Sequence, residues 1–190
     1  MESKECTKCF VVQSLSCYYK EKANPSGYQN LCKTCNIELS LAYKRTKVGM
    51  LTILYNNQVT SVTKGRVSEI TYSKQEFIDW CMSQKEFHVL YDNWKRLDYQ
   101  KAYRPSGDRK DDYLGYTLSN LQLVTWKFNE AKGSSDRKNG INNKVSKAVL
   151  QYGIDGVFIK EYHSGREAAR NNIATSAGIS QCCKGLTKQS

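Results

Sequence analysis

The chain has 190 residues, of which 39% are hydrophobic and 25% charged, and its mean hydropathy is -0.64. So polar a composition argues against one large apolar core and for several small units, one of them held by a metal. The formal net charge of +11 suits a phosphate backbone as partner, and the absence of a long apolar run excludes a membrane span or a secretory signal, so a cytoplasmic protein is expected.

Cys6-x2-Cys9 and Cys32-x2-Cys35 bracket the N-terminal segment. A Cys-x2-Cys turn brings two thiolates to one side, so two such turns predict a closed, tetrahedral structural Zn2+ site. With no secretory signal, eight cysteines at this spacing read as metal thiolates rather than disulfides. Cys17, without a spaced partner, reads as a core thiol. Ile37, Leu39, Leu41, Ala42 and Tyr43 predict a helix packed beneath the zinc, ending in Lys44, Arg45 and Lys47. Through its four cysteines, Gly27 and the CKTC ending, the segment 1–45 resembles the treble-clef zinc fingers that accompany many phage nucleases.

In the next segment, Met50 to Tyr55 and Val59 to Val62 predict a helix or a strand pair. Ser73 and Glu76 form a capping box, followed by Phe77, Ile78, Cys81 and Met82 at helical spacing. Phe87, Leu90, Tyr91 and Trp94 mark one face of a second helix, and His88 lies off that face. Pro105 restricts its surroundings to a strand edge or turn, so Ser106 to Arg109 predicts a short strand carrying Asp108. Gly115-Tyr116 turns the chain back, Leu121 to Thr125 returns as the partner strand, and Trp126 to Lys132 follows as a helix stopped by Gly133.

Two acids, Asp108 and Asp111, and two amides, Asn120 and Asn129, offer hard oxygen ligands suited to Mg2+ or Mn2+ rather than zinc. The pattern Asp108-Arg109-x-Asp111-x3-Gly115-Tyr116-Thr117-x2-Asn120, followed by Val124-Thr125-Trp126-Lys127 and Asn129-x2-Lys132-Gly133, resembles the histidine-poor branch of the HNH, or ββα-metal, endonucleases. That resemblance implies that Asp108 and Asn129 ligate a catalytic Mg2+ or Mn2+ and that Asn120 holds the intervening loop in shape. Arg109 stands where better-known members place the histidine that activates water. Arginine does not release its proton at neutral pH. The general base is then Asp111, His88, a metal-bound water or bulk solvent, with Arg109 left as a phosphate clamp.

The segment 134–147 is polar and basic and reads as an extended linker, whose Arg137, Lys138, Lys144 and Lys147 are candidates to track a DNA groove. Ala148 to Tyr152 and Val157 to Tyr162 predict a hairpin about Gly153-Ile154-Asp155-Gly156. A helix capped by Ser164 and Glu167 and carrying Arg166 comes next, then a second from Thr175 or Ser176 to Lys184, stopped by Gly185. The pair reads as a helix-turn-helix, with Ser176, Ser180, Gln181 and Lys184 as base or phosphate contacts and Cys182 and Cys183 as packing residues. The run VLQYGIDGVFIKEYHSGREAARNN with its ISQCCKG ending resembles the modular DNA-binding repeat of phage homing-type nucleases.

The expected fold is therefore α+β, in small modules: a four-cysteine zinc finger over 1–45, a ββα-metal core with flanking helices over 46–133, the linker 134–147, and a hairpin plus helix-turn-helix tail over 148–190. The expected function is a site-specific, phage or mobile-element type endonuclease acting on double-stranded DNA as monomer or homodimer, without membrane association and, if phage-encoded, in the host cytoplasm. The alternative is a noncatalytic DNA-binding protein or repressor on a degenerate nuclease scaffold. An RNA-binding zinc protein is disfavoured because no stacking motif of the usual single-strand readers is present.

Overall fold

The computed structural model describes residues 2–187 as an α+β chain of short hairpins alternating with helices. Chain contacts divide it into two units: Met1–Tyr99 with Gly115–Ser119, and Gln100–Leu114 with Asn120–Ser190.

In the first unit, β1 (Ser3–Glu5) pairs with β2 (Val12–Ser14), and β3 (Tyr18–Lys20) pairs with β4 (Tyr28–Cys32), both antiparallel. β4 runs straight into α1 (Lys33–Arg45), which puts Cys32 at the strand end and Cys35 in the first helical turn. The expected apolar underside of α1 is not realised, since Ile37, Leu39, Leu41 and Tyr43 are all exposed and Cys35 is its only buried residue. Their spacing of two is a strand period, which a helix distributes around its circumference.

The pieces 50–55 and 59–62 belong to a single helix, α2 (Lys47–Thr63), capped by the Thr46 side chain. Gly49 permits its tight join to α1, because a Cβ there would lie 1.9 Å from the Tyr43 carbonyl oxygen. In α3 (Lys74–Ser83) both halves of the Ser73–Glu76 capping box form; Phe77, Ile78 and Cys81 are buried, whereas Met82 is exposed. Tyr72 stacks on Phe77 at 5.7 Å between ring centres. Along α4 (Lys85–Arg96), Phe87 and Trp94 are buried, and Leu90 and Tyr91 half-buried, on the expected face.

In the second unit, β5 (Pro105–Arg109) pairs antiparallel with β6 (Leu121–Thr125), from Pro105 opposite Thr125 to Arg109 opposite Leu121. The helix α5 (Trp126–Lys138) follows at once, capped by Thr125. It continues through Gly133, contrary to expectation, and takes in Arg137 and Lys138 from the expected linker. A glycine inside a helix costs roughly 1 kcal/mol but does not end it unless it adopts the left-handed conformation. That conformation occurs at Gly140 (φ 75°), two residues beyond α5.

The β5–β6 connection also differs from the expected turn at Gly115-Tyr116. Turns form at Asp112-Tyr113 and at Leu118 to Asn120. Between them, Tyr116 makes a parallel bridge with Ile70 in the first unit: its N–H donates to Glu69 O (2.9 Å) and its carbonyl accepts from Thr71 N (3.0 Å).

The tail of the second unit consists of β7 (Val149–Tyr152) and β8 (Phe158–Tyr162), an antiparallel hairpin, then α6 (Gly165–Asn171) and α7 (Ser176–Cys183). Tyr162, Ala168 and Ile179 form its buried cluster, with Val149, Ala169 and Ala174 packed against it. Ser164 caps α6 by accepting from Glu167 N. Cys182 is half-buried, but Cys183 is exposed and is not a packing residue.

Candidate metal centre and basic cleft

Three sites take shape, one in the first unit and two in the second. In the first, the sulfurs of Cys6, Cys9, Cys32 and Cys35 all lie within 4.8 Å of one another and can hold a metal ion. Short hairpins deliver them: the turn after β1 carries Cys6 and Cys9, and the β4–α1 junction carries Cys32 and Cys35. The backbone N–H of Cys32 donates to Cys6 Sγ at 3.3 Å, and Gln13 Nε2 lies 3.9 Å from Cys9 Sγ. Hydrogen bonds from the Cys32 and Cys9 backbones hold the Cys6 thiol down to about 6, while burial pushes the Cys35 thiol up to about 12. Cys17, half-buried, packs against the cluster with Tyr28 and Leu31.

In the second unit, the face of the β5–β6 hairpin toward α5 is polar. Ser106 and Asp108 are two residues apart on β5 and so point to the same side. Asn129 Nδ2 donates to Ser106 Oγ (3.0 Å) and to Gly107 O (3.4 Å). Asp108, 5% exposed, accepts from Gln122 Nε2 at 2.7 Å; Gln122 is its register partner on β6. The Asn129 amide nitrogen is thereby committed to β5.

Asn120, 7% exposed, grips the loop: its Oδ1 accepts from Asp111 N (2.9 Å) and its Nδ2 donates to Asp111 O (3.0 Å). Its own carbonyl accepts from Lys110 N at 2.8 Å. The loop is therefore fixed by a side chain that mimics a strand pair across nine residues.

Of the candidate bases, Asp111 spends Oδ1 on Tyr113 N (2.8 Å). His88 lies in the other unit. Its Nδ1 faces Lys47 Nζ at 2.9 Å and its Nε2 faces Met82 O at 2.8 Å, so both nitrogens are engaged structurally. A lysine ammonium can only donate and a carbonyl can only accept, so this geometry has Nδ1 accepting from Lys47 and Nε2 donating to Met82 O. Arg109, expected as a phosphate clamp, points into its own loop, donating to Asp112 O (2.7 Å) and Leu114 O (2.9 Å) and pairing with the Asp112 carboxylate at 3.4 Å.

Lys132 carried no assigned role in the sequence pattern. From α5, one helical step beyond Asn129, its Nζ stands 3.3 Å from Asp108 Oδ2, 3.1 Å from Arg109 O and 3.7 Å from Asp136 Oδ2. The three-residue spacing from Asn129 was a clue that the two share a helix face.

The expected DNA contacts gather around one cleft of about 770 Å³ between the end of α5 and the tail. Arg137, Lys138, Lys147, Arg166, Arg170 and Lys184 line it, with Ser176 and Ser180 and no acidic side chain among the described lining residues. Arg170 was not among the expected contacts; it donates to Lys138 O at 2.9 Å. Two expected contacts are absent from the lining, Gln181 and Lys144. Lys144 instead donates to Asp112 O and lies 5.3 Å from the centre of the Tyr113 ring, tying the linker to the β5–β6 loop.

Fold and sites together define an α+β chain with a four-thiol cluster, a hairpin-helix acid site and a basic cleft. No family model matches this chain, no curated protein matches it, and no solved structure matches it. Among the described residues, no helix is long and apolar enough to cross a membrane.

Proposed function

We propose that this chain is a divalent-metal-dependent endonuclease of the ββα-metal type acting on double-stranded DNA. The observation that carries the reading is a strand-strand-helix unit in which Asp108 is buried on β5, Asn129 of α5 bonds its strand neighbour Ser106, and the loop is clamped by Asn120. A carboxylate oxygen and an amide oxygen suit Mg2+ or Mn2+, which accept few protein ligands and retain several waters. A divalent ion held there would polarise the scissile phosphate and stabilise the leaving oxygen. Asp108 and Asn129 supply the ligating oxygens, and Asn120 keeps the loop backbone in register.

The basic cleft supports a phosphate backbone as ligand, since six cations without an acid form a strong local positive field. The four sulfurs suit Zn2+ in a closed, structural role, with no position left for catalysis.

A second reading, a DNA-binding regulator on a nuclease scaffold, is favoured by Lys132 and Arg109. An ammonium beside Asp108 occupies the neighbourhood of a metal, and an arginine tied to its own loop cannot activate water.

Supercoiled plasmid and phage genomic DNA, incubated with and without Mg2+, separate the two. A nuclease gives discrete nicked or linear products that require Mg2+ and disappear in Asp108→Ala and Asn129→Ala. DNA that is shifted in a gel yet intact under every divalent ion makes the protein a regulator.

A further inference from the structure

Within the Asp108 site, Lys132 Nζ sits in a cradle of three oxygens: Asp108 Oδ2 at 3.3 Å, Arg109 O at 3.1 Å and Asp136 Oδ2 at 3.7 Å. The lysine side chain is 23% exposed, Asp136 16% and Asp108 6%, so all three are largely withdrawn from water. Asp136 lies one helical turn beyond Lys132 on α5 and has no place in the metal-ligand pattern read from the sequence.

Resting on the nuclease reading above, we propose that Lys132 is an internal cation that competes with the divalent ion for Asp108, and that Asp136 is the second station to which the ammonium moves when the ion binds. A monovalent ammonium and a divalent cation cannot both lie against one buried carboxylate without strong repulsion, because little water is present to screen them. The ammonium therefore has to leave Oδ2 as the ion arrives. A tether of four methylenes and an acceptor already 3.7 Å away let it do so with a small rotation about the side chain, while Arg109 O stays within reach. Asp136 is thereby a positioning residue that acts through Lys132 and touches neither ion nor DNA. Metal-free protein keeps Asp108 paired, and the site loads only when the free divalent ion outcompetes a tethered charge.

The test is Mn2+ binding by zinc-loaded, full-length protein, followed by electron paramagnetic resonance and calorimetry. DNA and turnover play no part in it. Lys132→Met, which keeps the length of the side chain and removes its charge, is expected to bind Mn2+ roughly tenfold more tightly than wild type, on the scale of one unlike charge pair in a partly screened site. Lys132→Arg, which keeps the charge, stays near wild type. Asp136→Asn is expected to weaken Mn2+ binding several-fold, and in Lys132→Met/Asp136→Asn that loss disappears.

Equal or weaker Mn2+ affinity in Lys132→Met overturns the competition. A loss from Asp136→Asn of the same size with Lys132 present or absent makes Asp136 a direct ligand and overturns its role as second station. Thermal unfolding without Mn2+ identifies any variant whose fold is lost; for such a variant Lys132→Gln takes the place of Lys132→Met. Mn2+ that binds wild type and is lost in Asp108→Ala, with no response to Lys132, sinks this inference and leaves the nuclease reading standing. If no protein binds Mn2+ at Asp108, the nuclease reading itself falls.

Discussion

At the scale of single residues, the acid site depends on side chains that replace backbone pairing. Asn120 is buried and satisfies both the N–H and the carbonyl of Asp111. Asn120→Ala leaves those groups without their partner inside a tight loop, a loss of about 1–3 kcal/mol for buried polar groups left unsatisfied. Urea unfolding of Asn120→Ala should show that drop, and hydrogen exchange should place it in residues 110–120. Asn120→Asp keeps the acceptor for Asp111 N but sets a buried carboxylate oxygen against the Asp111 carbonyl, so it should cost at least as much as Asn120→Ala. The asparagine was legible from the resemblance in its motif. Lys132 was visible as a matched letter, but its role was not, because an ammonium shared by Asp108 and Asp136 depends on a strand-helix approach that spacing along the chain does not specify.

At the scale of elements, the sequence was most informative where partners are local. The Ser73–Glu76 capping box and the β7–β8 hairpin each rest on signals within a few residues, and each is present; the β5 and β6 strands were also legible, but not the turn that joins them. The end of α5 was misread for a physical reason. A glycine in the chain marks a helix stop only if the helix needs left-handed backbone at that position, and Gly140 rather than Gly133 meets that need. Gly140 also lies close under His163, where an added Cβ would stand 2.8 Å from Nδ1. Gly140→Ala combines left-handed strain with that approach and should cost about 1–3 kcal/mol. Gly133→Ala, inside the helix with only the end of Arg137 3.5 Å away, should stabilise by several tenths of a kcal/mol. Thermal melts of the two variants should move in opposite directions; a shift of the same sign in both would undo this account of the helix end.

At the scale of the whole molecule, the chain has separate cores of very different kinds. The cluster around Cys6, Tyr18, Cys32 and Cys35 consists mostly of the thiols themselves, while the tail relies on Tyr162, Ala168 and Ile179. A core so short of aliphatic residues is expected to gain stability from an ion held by its four thiols, as small metal-held modules do. Removing zinc with a thiol-directed chelator should therefore release amide protection in β1–β4 while β5, β6 and α5 keep theirs. Simultaneous loss in both would mean that zinc binding and the hairpin-helix fold are one cooperative transition. Composition made the multiplicity of cores legible; it could not show which residues cross from one unit to the other, because the Ile70–Tyr116 bridge joins distant positions without any local signature. That crossing has a consequence for anyone who would transplant the hairpin-helix cassette. The chain leaves the second unit after Leu114, lends Gly115–Ser119 to the first, and returns at Asn120. A graft cut at Gln100 would carry away one rib of its donor's helical half and arrive with a gap where Glu69 to Thr71 had been. The cassette can be exchanged only together with the segment that its own hairpin loop completes.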